Sequence, residues 1–378
     1  MNRQIIIIGG GASALMLASL LPKNRATIIE SNAKLAAKIH ISGGGKCNIT
    51  NKYMGGEYFL AKHAFVESIL NVFDEKKLLL WLKKEGLNPV LRKKTHYFCE
   101  NSSTELIDIF KKKIKHQRVL LSEKVIEVTK RGAYFKVKTQ KRILSAKYVV
   151  VASGGLSFPK LGASGIGYEI ASSFGHTIKQ TAPALVGFTV QKEQFFFKTL
   201  SGSSTKVSIR VDEQIFQGDL LFTHKGISGP AVLDSSLYWQ KGSIEIDFLP
   251  HFSLEHMRGS KKQISSLLPI PKRITKAFLV QLGLEDKPFF QLTFKELEKL
   301  QSLQQYVFAP AGTFGYSKAE VTKGGVCTDE VDAKTMMSLK EEGLYFIGEV
   351  LDVTGKLGGY NFQWAFSSAF VCYKNIRE

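Results

Sequence analysis

Glycines and one acidic residue near the N-terminus form the strongest chemical pattern in the sequence. Residues 5–8 are an apolar run typical of a buried strand, three glycines follow it, and an apolar helix begins directly afterwards. A second strand ends in Glu30, about 20 residues further on. Gly9 permits a tight turn, Gly11 lets the backbone approach a pyrophosphate, and the small Ala14 lets the helix pack closely on the strand. The spacing predicts a dinucleotide site in which Glu30 accepts hydrogen bonds from ribose hydroxyls.

NAD and FAD share this pattern, and three further features favour FAD. Residues 149–155, VVVASGG, read as a buried strand that ends in small residues, where the chain can pass close to a long cofactor at Ala152, Ser153 and Gly154. Residues 348–366 read as a strand end, a glycine-rich loop that includes Gly359, and a helix whose N-terminus could face the flavin N1 and C2 carbonyl. The third feature is that no second G-x-G-x-x-G follows a strand, since the glycines of residues 162–171 have the wrong spacing. The chain therefore has one dinucleotide site of this type.

A second glycine run lies in residues 38–51, KIHISGGGKCNITN, after the Glu30 strand. An extended FAD would pass there from ribose through pyrophosphate toward the ring, so bare backbone can line the channel with N–H groups. Lys38 is placed to offset phosphate charge, and Cys47 and Asn48 are expected near the isoalloxazine. The residues of the run that we expect to line the channel are Gly43, Gly44 and Gly45.

Three residues are candidates for catalysis: Cys47, Asn48 and His224. Cys47 is either a redox thiol or a packing residue near the ring, and no cysteine follows nearby to pair with it. His224 lies in FTHKGISGP, residues 222–230, which is either a substrate-facing loop with an acid or base or a hydrogen-bonded turn before a helix. The four cysteines and eight histidines show no metal-ligand spacing, so no metal is expected.

The composition indicates a folded protein with a strong positive charge. Hydrophobic residues make up 44% of the 378 residues, and the formal net charge is +19. No apolar run approaches the roughly 18 residues that span a bilayer, and no leader is visible, so we expect a cytoplasmic protein. The charge allows nucleic acid as a partner, although runs such as residues 111–118 and 258–263 lack interleaved aromatics and are also explained as solvated helix faces.

The order of predicted elements indicates an α/β protein with an inserted domain. A Rossmann-like FAD-binding domain is expected over residues 1–186 and 323–378, with an insert over 187–322. Within the insert, short alternating strands predict a β-barrel over 187–250 and a helical part over 251–305. Capping boxes are predicted at Ser102 with Glu105 and at Thr293 with Glu296.

These segments together resemble a bacterial flavoprotein family that includes aminoacetone oxidase and a bile-acid pathway reductase. The resemblance covers nearly the whole chain, including the long motifs at 38–51, 152–176 and 343–370. It implies FAD contacts from Gly9, Gly11, Ala12, Ser13, Glu30, Lys38 and Ser42, a backbone contact to adenine near Val125, and flavin-side contacts from Gly348, Glu349, Asp352, Asn361 and Phe362. Ala14 stands where the family usually has glycine, and a methyl is tolerated there.

The sequence therefore predicts an FAD-dependent oxidoreductase that moves a hydride between a small organic substrate and flavin N5. NAD(P)H or oxygen would complete the cycle. Two alternatives stay open: a flavoprotein that acts on tRNA or another nucleic acid, which the +19 charge motivates, and a flavin-dependent sensor or assembly factor without catalysis. No motif identifies the substrate, the electron donor or the oligomeric state.

Overall fold

The computed structural model describes residues 4–376. The chain divides into a first unit, Met1–Pro183 with Glu320–Glu378, and a second unit, Ala184–Ala319. Both boundaries lie three residues before those expected from the sequence, at 186 and 322. No helix within residues 4–376 combines the length and the apolar character needed to cross a membrane.

The elements alternate between strands and helices in the first unit. In chain order they are β1 (Ile5–Ile8), α1 (Ala12–Leu20), β2 (Ala26–Ile29), α2 (Ala37–Ile41), β3 (Asn48–Asn51), β4 (Phe59–Leu60), α3 (His63–Val72), α4 (Glu75–Lys84), β5 (Val90–Arg92), β6 (His96–Phe98), α5 (Thr104–Ile114), β7 (Arg118–Leu120), β8 (Val125–Arg131), β9 (Tyr134–Thr139), β10 (Ile143–Ala146), β11 (Tyr148–Val151), α6 (Ile166–Ser173) and β12 (Ile178–Ala184).

The second unit follows, and the chain then returns to the first. The second unit contains β13 (Phe188–Thr189), β14 (Ser204–Val211), β15 (Gln214–Thr223), β16 (Gly226–Ser228), α7 (Pro230–Tyr238), β17 (Ile244–Asp247), α8 (Ile264–Leu267), α9 (Lys272–Leu282), α10 (Phe294–Gln301), β18 (Tyr306–Phe308) and β19 (Gly312–Thr313). The returning segment contains β20 (Val321–Val326), β21 (Leu344–Phe346), β22 (Thr354–Gly355) and α11 (Tyr360–Ile376).

A five-stranded parallel sheet forms the centre of the first unit, in the order β21-β11-β1-β2-β7. Its central strands are continuous apolar runs because helices cover both faces of such a sheet. In the register, Ile8 lies opposite both Ile29 and Val151. The next residues, Gly9, Glu30 and Ala152, therefore meet at the carboxyl edge of the sheet, where α/β proteins bind ligands.

Smaller antiparallel sheets surround this core. The chain from β8 through β10 forms a three-stranded meander, and β3, β6 and β5 form another small sheet. β4 pairs with β22, and β12 pairs with β20. The capping box predicted at Ser102 is wrong by register, because Ser103 is the N-cap of α5 and Glu105 accepts from the backbone of Glu100 and Asn101.

The second unit is built on a seven-stranded antiparallel sheet in the order β18-β17-β14-β15-β16-β13-β19. The predicted strand-rich part ended at residue 250, but β18 and β19 also belong to this sheet, so α8, α9 and α10 interrupt it. Those strands have two or three residues and carry too little periodicity to be recognised. The capping box of Thr293 and Glu296 at α10 is confirmed.

Candidate functional site

The turn between β1 and α1 has one closely packed glycine and one open glycine. Gly9 has φ +110°, and a Cβ there would lie 2.4 Å from the carbonyl oxygen of Ala152. Gly11 is the N-cap of α1, and a Cβ there would meet nothing within 4 Å. Within the described chain no side chain caps this helix end, so its first N–H groups can bind an anion. Ala12 is half-buried and Ala14 fully buried, and the open space beyond Gly11 fits a pyrophosphate.

Glu30 is held in place at the end of β2. Its Oε2 accepts from the Gly10 N–H at 2.7 Å, and its Oε1 accepts from the Asn32 N–H at 2.7 Å and from the Ser31 hydroxyl at 3.1 Å. A carboxylate has about four acceptor positions, so it can also accept from a ribose hydroxyl. Val125 lies near the same strand end, because the backbone N–H of Glu123, two residues before Val125, donates to the Glu30 carbonyl at 3.0 Å.

The chain end returns to the first turn through Gly348. A Cβ on Gly348 would lie 2.6 Å from Ser13 Oγ in the first turn of α1. The Gly348 N–H donates to Ser368 Oγ at 3.0 Å, and the Trp364 indole donates to the Gly348 carbonyl at 3.1 Å. The expected flavin-side segment thus packs directly on the expected pyrophosphate site, and Gly348 is engaged in that packing.

The second glycine run forms a tight left-handed turn. A one-turn helix, α2, precedes it, and Ser42 Oγ donates to the Ile39 carbonyl at 2.8 Å. The three glycines have φ values of +56°, +65° and +84°, which residues with a side chain rarely adopt. A Cβ on Gly43 would lie 2.9 Å from the backbone nitrogen of Asn48, whereas Cβ atoms on Gly44 and Gly45 would meet nothing within 4 Å. One side of the turn is therefore packed, and the other is open for a ligand.

Asn48 joins this turn to the N-terminus of α11. With the amide oriented to match its partners, Asn48 Oδ1 accepts from the Gly359 N–H and from His96 Nδ1 at 3.2 Å each, and its amide nitrogen donates to the Tyr97 carbonyl at 3.3 Å. The two glycine segments that were expected at the flavin are thus adjacent to each other. A Cβ on Gly358 would lie 3.0 Å from His96 Nε2.

Sequence reasoning did not identify His96, because a single histidine in the short strand β6 carries no pattern. Burial, followed by the charge of Lys93, lowers the pKa of His96, so its neutral form predominates at neutral pH. The hydrogen bond from Nδ1–H to Asn48 leaves Nε2 as an acceptor beside the Gly358–Gly359 turn. His96 can therefore orient a donor group of a bound ring.

Lys38 forms an ion pair with Glu349 rather than standing alone beside a phosphate. Its Nζ lies 2.7 Å from Glu349 Oε2, and Glu349 Oε1 accepts from the Thr322 N–H at 2.9 Å. The pair is separated by 311 residues in the sequence, so no local pattern reveals it. A phosphate role for Lys38 stays a prediction. The pair lies next to Gly154, where a Cβ would lie 3.8 Å from Glu349 Oε2.

Lys323 is a second residue that sequence reasoning did not identify. It follows Thr322 in β20, is half-buried, and has its pKa lowered by burial to about 8. An ammonium group with this pKa is protonated at neutral pH and releases its proton more readily than an ordinary lysine. Thr322 also accepts at Oγ1 from the Leu156 and Ser157 N–H groups, so the strand is fixed against the loop after β11.

The polar residues expected at the flavin from the α11 segment are largely engaged within the protein. Both ends of the Asn361 amide bond the Gly355 backbone at 2.9 Å, and the amide keeps one donor and one acceptor position for a further contact. Phe362 is half-buried and stacks on Phe366 with ring centroids 6.1 Å apart. Burial raises the pKa of Asp352. Ser153 is half-buried beside the end of β11.

Cys47 is fully buried and its burial raises the pKa of the thiol to about 12. A thiol with this pKa is protonated at neutral pH and is a poor nucleophile. Burial raises the pKa of the nearby Cys99 as well, to about 11. The structure therefore favours packing over a redox role for Cys47, which was the second of the two interpretations.

His224 lies at the tip of a tight hairpin in the second unit. It is exposed between β15 and β16, where Thr223 Oγ1 accepts from the N–H groups of Lys225 and Gly226 at 3.3 and 3.1 Å. The hairpin leads into α7, which begins at Pro230. These contacts correspond to the hydrogen-bonded turn, and a catalytic role for His224 stays a prediction.

One group of possible metal ligands lies elsewhere in the first unit. Ligand atoms of Glu57, His63 and Glu67 lie within 4.8 Å of one another. The sequence was expected to lack metal-ligand spacing, yet His63 and Glu67 are separated by one helical turn. Glu57 and His63 are exposed, and Glu67 accepts a hydrogen bond from the Gly56 N–H. The proximity of the three side chains is therefore also explained by contacts around the N-terminus of α3.

The arrangement as a whole fits FAD. An open helix N-terminus, a fixed carboxylate 20 residues later and an open glycine turn follow one another along the carboxyl edge of the sheet. The residues that the structure brings together there come from four distant segments, centred on Gly11, Glu30, Gly44 and Gly359. A bound FAD would be held by these segments.

Comparison with known proteins gives full-length relatives. The chain is 37% identical over 391 residues to the ribosomal RNA dihydrouridine synthase of Haemophilus influenzae, covering 98% of each protein. It is 37% identical over 390 residues to the Escherichia coli protein of the same name, covering 98% of this chain and 97% of that protein. It is 29% identical over 408 residues to the 3-dehydro-bile acid delta(4,6)-reductase of Clostridium scindens, covering all of both.

Solved structures and a family profile agree on the fold. A variant of E. coli quinol fumarate reductase FrdA superposes with a TM-score of 0.53 at 10% identity, covering 99% of this chain and 69% of that one. The 3-ketosteroid delta1-dehydrogenase of Sterolibacterium denitrificans superposes with a TM-score of 0.53 at 13% identity, covering 99% of each. The profile described as HI0933-like protein Rossmann domain matches residues 3–375. The chain therefore belongs to the HI0933-like family, and it has the Rossmann-like fold with an inserted domain that FAD-binding enzymes use.

Proposed function

We propose that this protein is an FAD-dependent reductase that converts uridine in ribosomal RNA to dihydrouridine. The observation that carries the proposal is the full-length identity of 37% to two ribosomal RNA dihydrouridine synthases. The net charge of +19 supports a polyanionic substrate. The glycine turns and Glu30 support FAD as the cofactor.

The names of the relatives share one kind of chemistry. A uracil ring and a 3-oxo steroid with a delta-4 double bond both contain a carbon–carbon double bond conjugated with a carbonyl. Reduction breaks the π bond, forms a C–H bond to hydride at the carbon far from the carbonyl, and forms a second C–H bond to a proton at the near carbon. In uridine these carbons are C6 and C5. Reduced FAD, when bound, would supply the hydride, which carries both electrons, and NADH or NADPH would reduce the flavin again.

The residues of the chain would fix the ring and deliver the proton. The N-terminus of α11, at Gly359, favours negative charge near it because of the helix dipole. His96 Nε2 would accept from an N–H group of a bound ring, and Asn48 would hold His96 in that tautomer. Lys323 is our candidate for the proton donor, since it follows Thr322, whose N–H donates to Glu349 of the expected flavin-side segment, and since burial lowers its pKa to about 8.

Replacing Lys323 with methionine is expected to lower the rate at which the reduced enzyme, with RNA bound, forms dihydrouridine by roughly a hundredfold. FAD content should stay unchanged, because Lys323 is not placed at the pyrophosphate or ribose. In the wild type the rate should fall as the pH rises above about 8, because the donor loses its proton. Exposed Lys295→Met, on α10, serves as the control. Equal turnover of the Lys323→Met and Lys295→Met variants would remove Lys323 from the reaction.

The proposed function is tested by treating unmodified ribosomal RNA with the purified protein, FAD and NADPH or NADH. Nucleosides from the digested RNA are then analysed by mass spectrometry. We expect dihydrouridine at a defined position, with a mass gain of two hydrogens. A parallel reaction contains a 3-oxo-delta(4,6) bile acid, and reduction of this compound alone would assign the protein to small-molecule reduction instead. Flavin that NAD(P)H never reduces would indicate an oxidase.

A further inference from the structure

The positive charge of the chain is concentrated in the meander of β8, β9 and β10. Residues 124–147 contain eight lysines and arginines and one acidic residue, a net charge of +7 out of +19 for 378 residues. Only one in sixteen residues lies in this segment. The bias is therefore local, which a general preference for lysine does not explain.

Strand alternation places three of these basic residues, Arg131, Lys136 and Lys138, on one face of the meander. Val128, Phe135, Val137 and Ala146 are buried in the core of the first unit. The opposite face is exposed in the described chain, and β9 contributes Tyr134, Lys136 and Lys138 to it in a row. We call this exposed face, formed by Glu127, Thr129, Arg131, Tyr134, Lys136, Lys138, Ile143 and Ser145, the meander face.

One carboxylate, Glu127, lies on the meander face, opposite Lys138 in the register. Among residues 4–376, none of Arg131, Lys136 and Lys138 forms an ion pair, whereas Lys130 beside them pairs with Glu341. Lys136 lies opposite the hydroxyl residues Thr129 and Ser145 in the register. Lysine, arginine and hydroxyl side chains are the groups that contact phosphates in nucleic-acid complexes.

An aromatic ring lies within this row of charges. Tyr134 is 56% exposed, stands opposite Arg131 and lies two residues before Lys136 on the same face. Ile143, on the neighbouring strand, is 64% exposed. Exposed aromatic rings between basic residues bind unstacked bases in RNA-binding sheets. The run at 111–118 differs, because it lacks aromatics and Lys111 and Lys113 pair with Asp108 and Glu85.

We propose that the meander face binds ribosomal RNA, with Lys136, Lys138 and Arg131 on phosphates and Tyr134 under a base. This inference rests on the proposed function, and it identifies the surface on which the substrate docks. The charge excess and the exposed ring both favour RNA over an acidic protein, which needs no stacking platform.

The proposal is tested with a fluorescent ribosomal RNA fragment and full-length protein that contains FAD. The double variant Lys136→Glu, Lys138→Glu should weaken RNA binding at least tenfold. The slope of the logarithm of the binding constant against the logarithm of the salt concentration should become shallower by about two. Tyr134→Ala should weaken binding roughly tenfold with little change in that slope. The control, Lys272→Glu with Lys276→Glu, makes the same charge change on exposed residues of α9.

The outcomes separate the two proposals. If the wild type forms dihydrouridine and the meander variant binds RNA as tightly as the control does, the meander face is not the docking surface. If the wild type forms no dihydrouridine but RNA binding depends on Lys136 and Lys138, the surface is supported and the proposed reaction fails. Binding to vesicles of anionic lipid that exceeds binding to RNA would overturn the inference. FAD content and flavin reduction by NAD(P)H should be equal in all variants.

Discussion

Replacing Gly11 with alanine is expected to yield a folded protein that no longer retains FAD. The backbone at Gly11 is extended, with φ −87°, and a Cβ there meets no protein atom within 4 Å. The new methyl would instead occupy the space in which we place the pyrophosphate. A contact of this kind costs about 1–3 kcal/mol, which corresponds to roughly a tenfold to hundredfold loss of FAD affinity.

Gly9→Ala is the matched variant, because it makes the same chemical change two residues earlier. There the methyl would lie 2.4 Å from the Ala152 carbonyl oxygen at a φ of +110°. We expect a loss of unfolding free energy on the order of 3 kcal/mol. Urea unfolding without FAD and FAD titration of each variant distinguish the two effects. A Gly11→Ala protein with full FAD content would contradict the pyrophosphate assignment.

Glu30→Gln is expected to weaken FAD binding by roughly tenfold to a hundredfold. The carboxylate accepts from the Gly10 and Asn32 amides and has capacity left for a ribose hydroxyl. An amide side chain keeps the volume but loses the charge and one acceptor, and hydrogen bonds to charged groups contribute about 1.5–3 kcal/mol. The affinity should be measured for FAD and also for ADP, which contains the adenosine ribose.

The structural role of Glu30 has its own control. Ser31→Ala removes one hydrogen bond to the carboxylate and leaves the acid in place. We expect this variant to bind FAD nearly as the wild type does. The Glu30→Gln protein should lose affinity for ADP and FAD in the same proportion. If only its thermal stability changed and ADP affinity did not, Glu30 would be structural and the ribose role would be refuted.

The FAD-binding edge could be predicted because its signals are local. Apolar strands, a glycine turn and Glu30 follow one another within the first 30 residues, and parallel pairing brings their ends together. The three glycines at 43–45 were also informative, since all three adopt positive φ values. The division into two units follows from the change from buried runs to short alternating strands.

Long-range pairings could not be predicted. Lys38 and Glu349 were assigned to the phosphate and the flavin, and the ion pair between them depends on a contact across 311 residues. His96 obtains its position from Asn48 and the Gly358–Gly359 turn, which no sequence spacing encodes. Cys47 could be interpreted from the sequence either as a redox thiol or as a packing residue, and the burial that raises its pKa and favours packing is a property of the folded chain. The meander face was not identified from the sequence either, because only the strand register places its basic residues on one exposed face.

The most direct test is to follow the flavin absorbance of the reduced protein under anaerobic conditions while ribosomal RNA is added. Reduction by NADPH or NADH should bleach the spectrum, and excess donor is then removed. We predict that unmodified ribosomal RNA restores the oxidised flavin spectrum and gains one dihydrouridine for each flavin oxidised. Reduced flavin that persists in the presence of this RNA, and is reoxidised only by oxygen or another small acceptor, would contradict the proposed function.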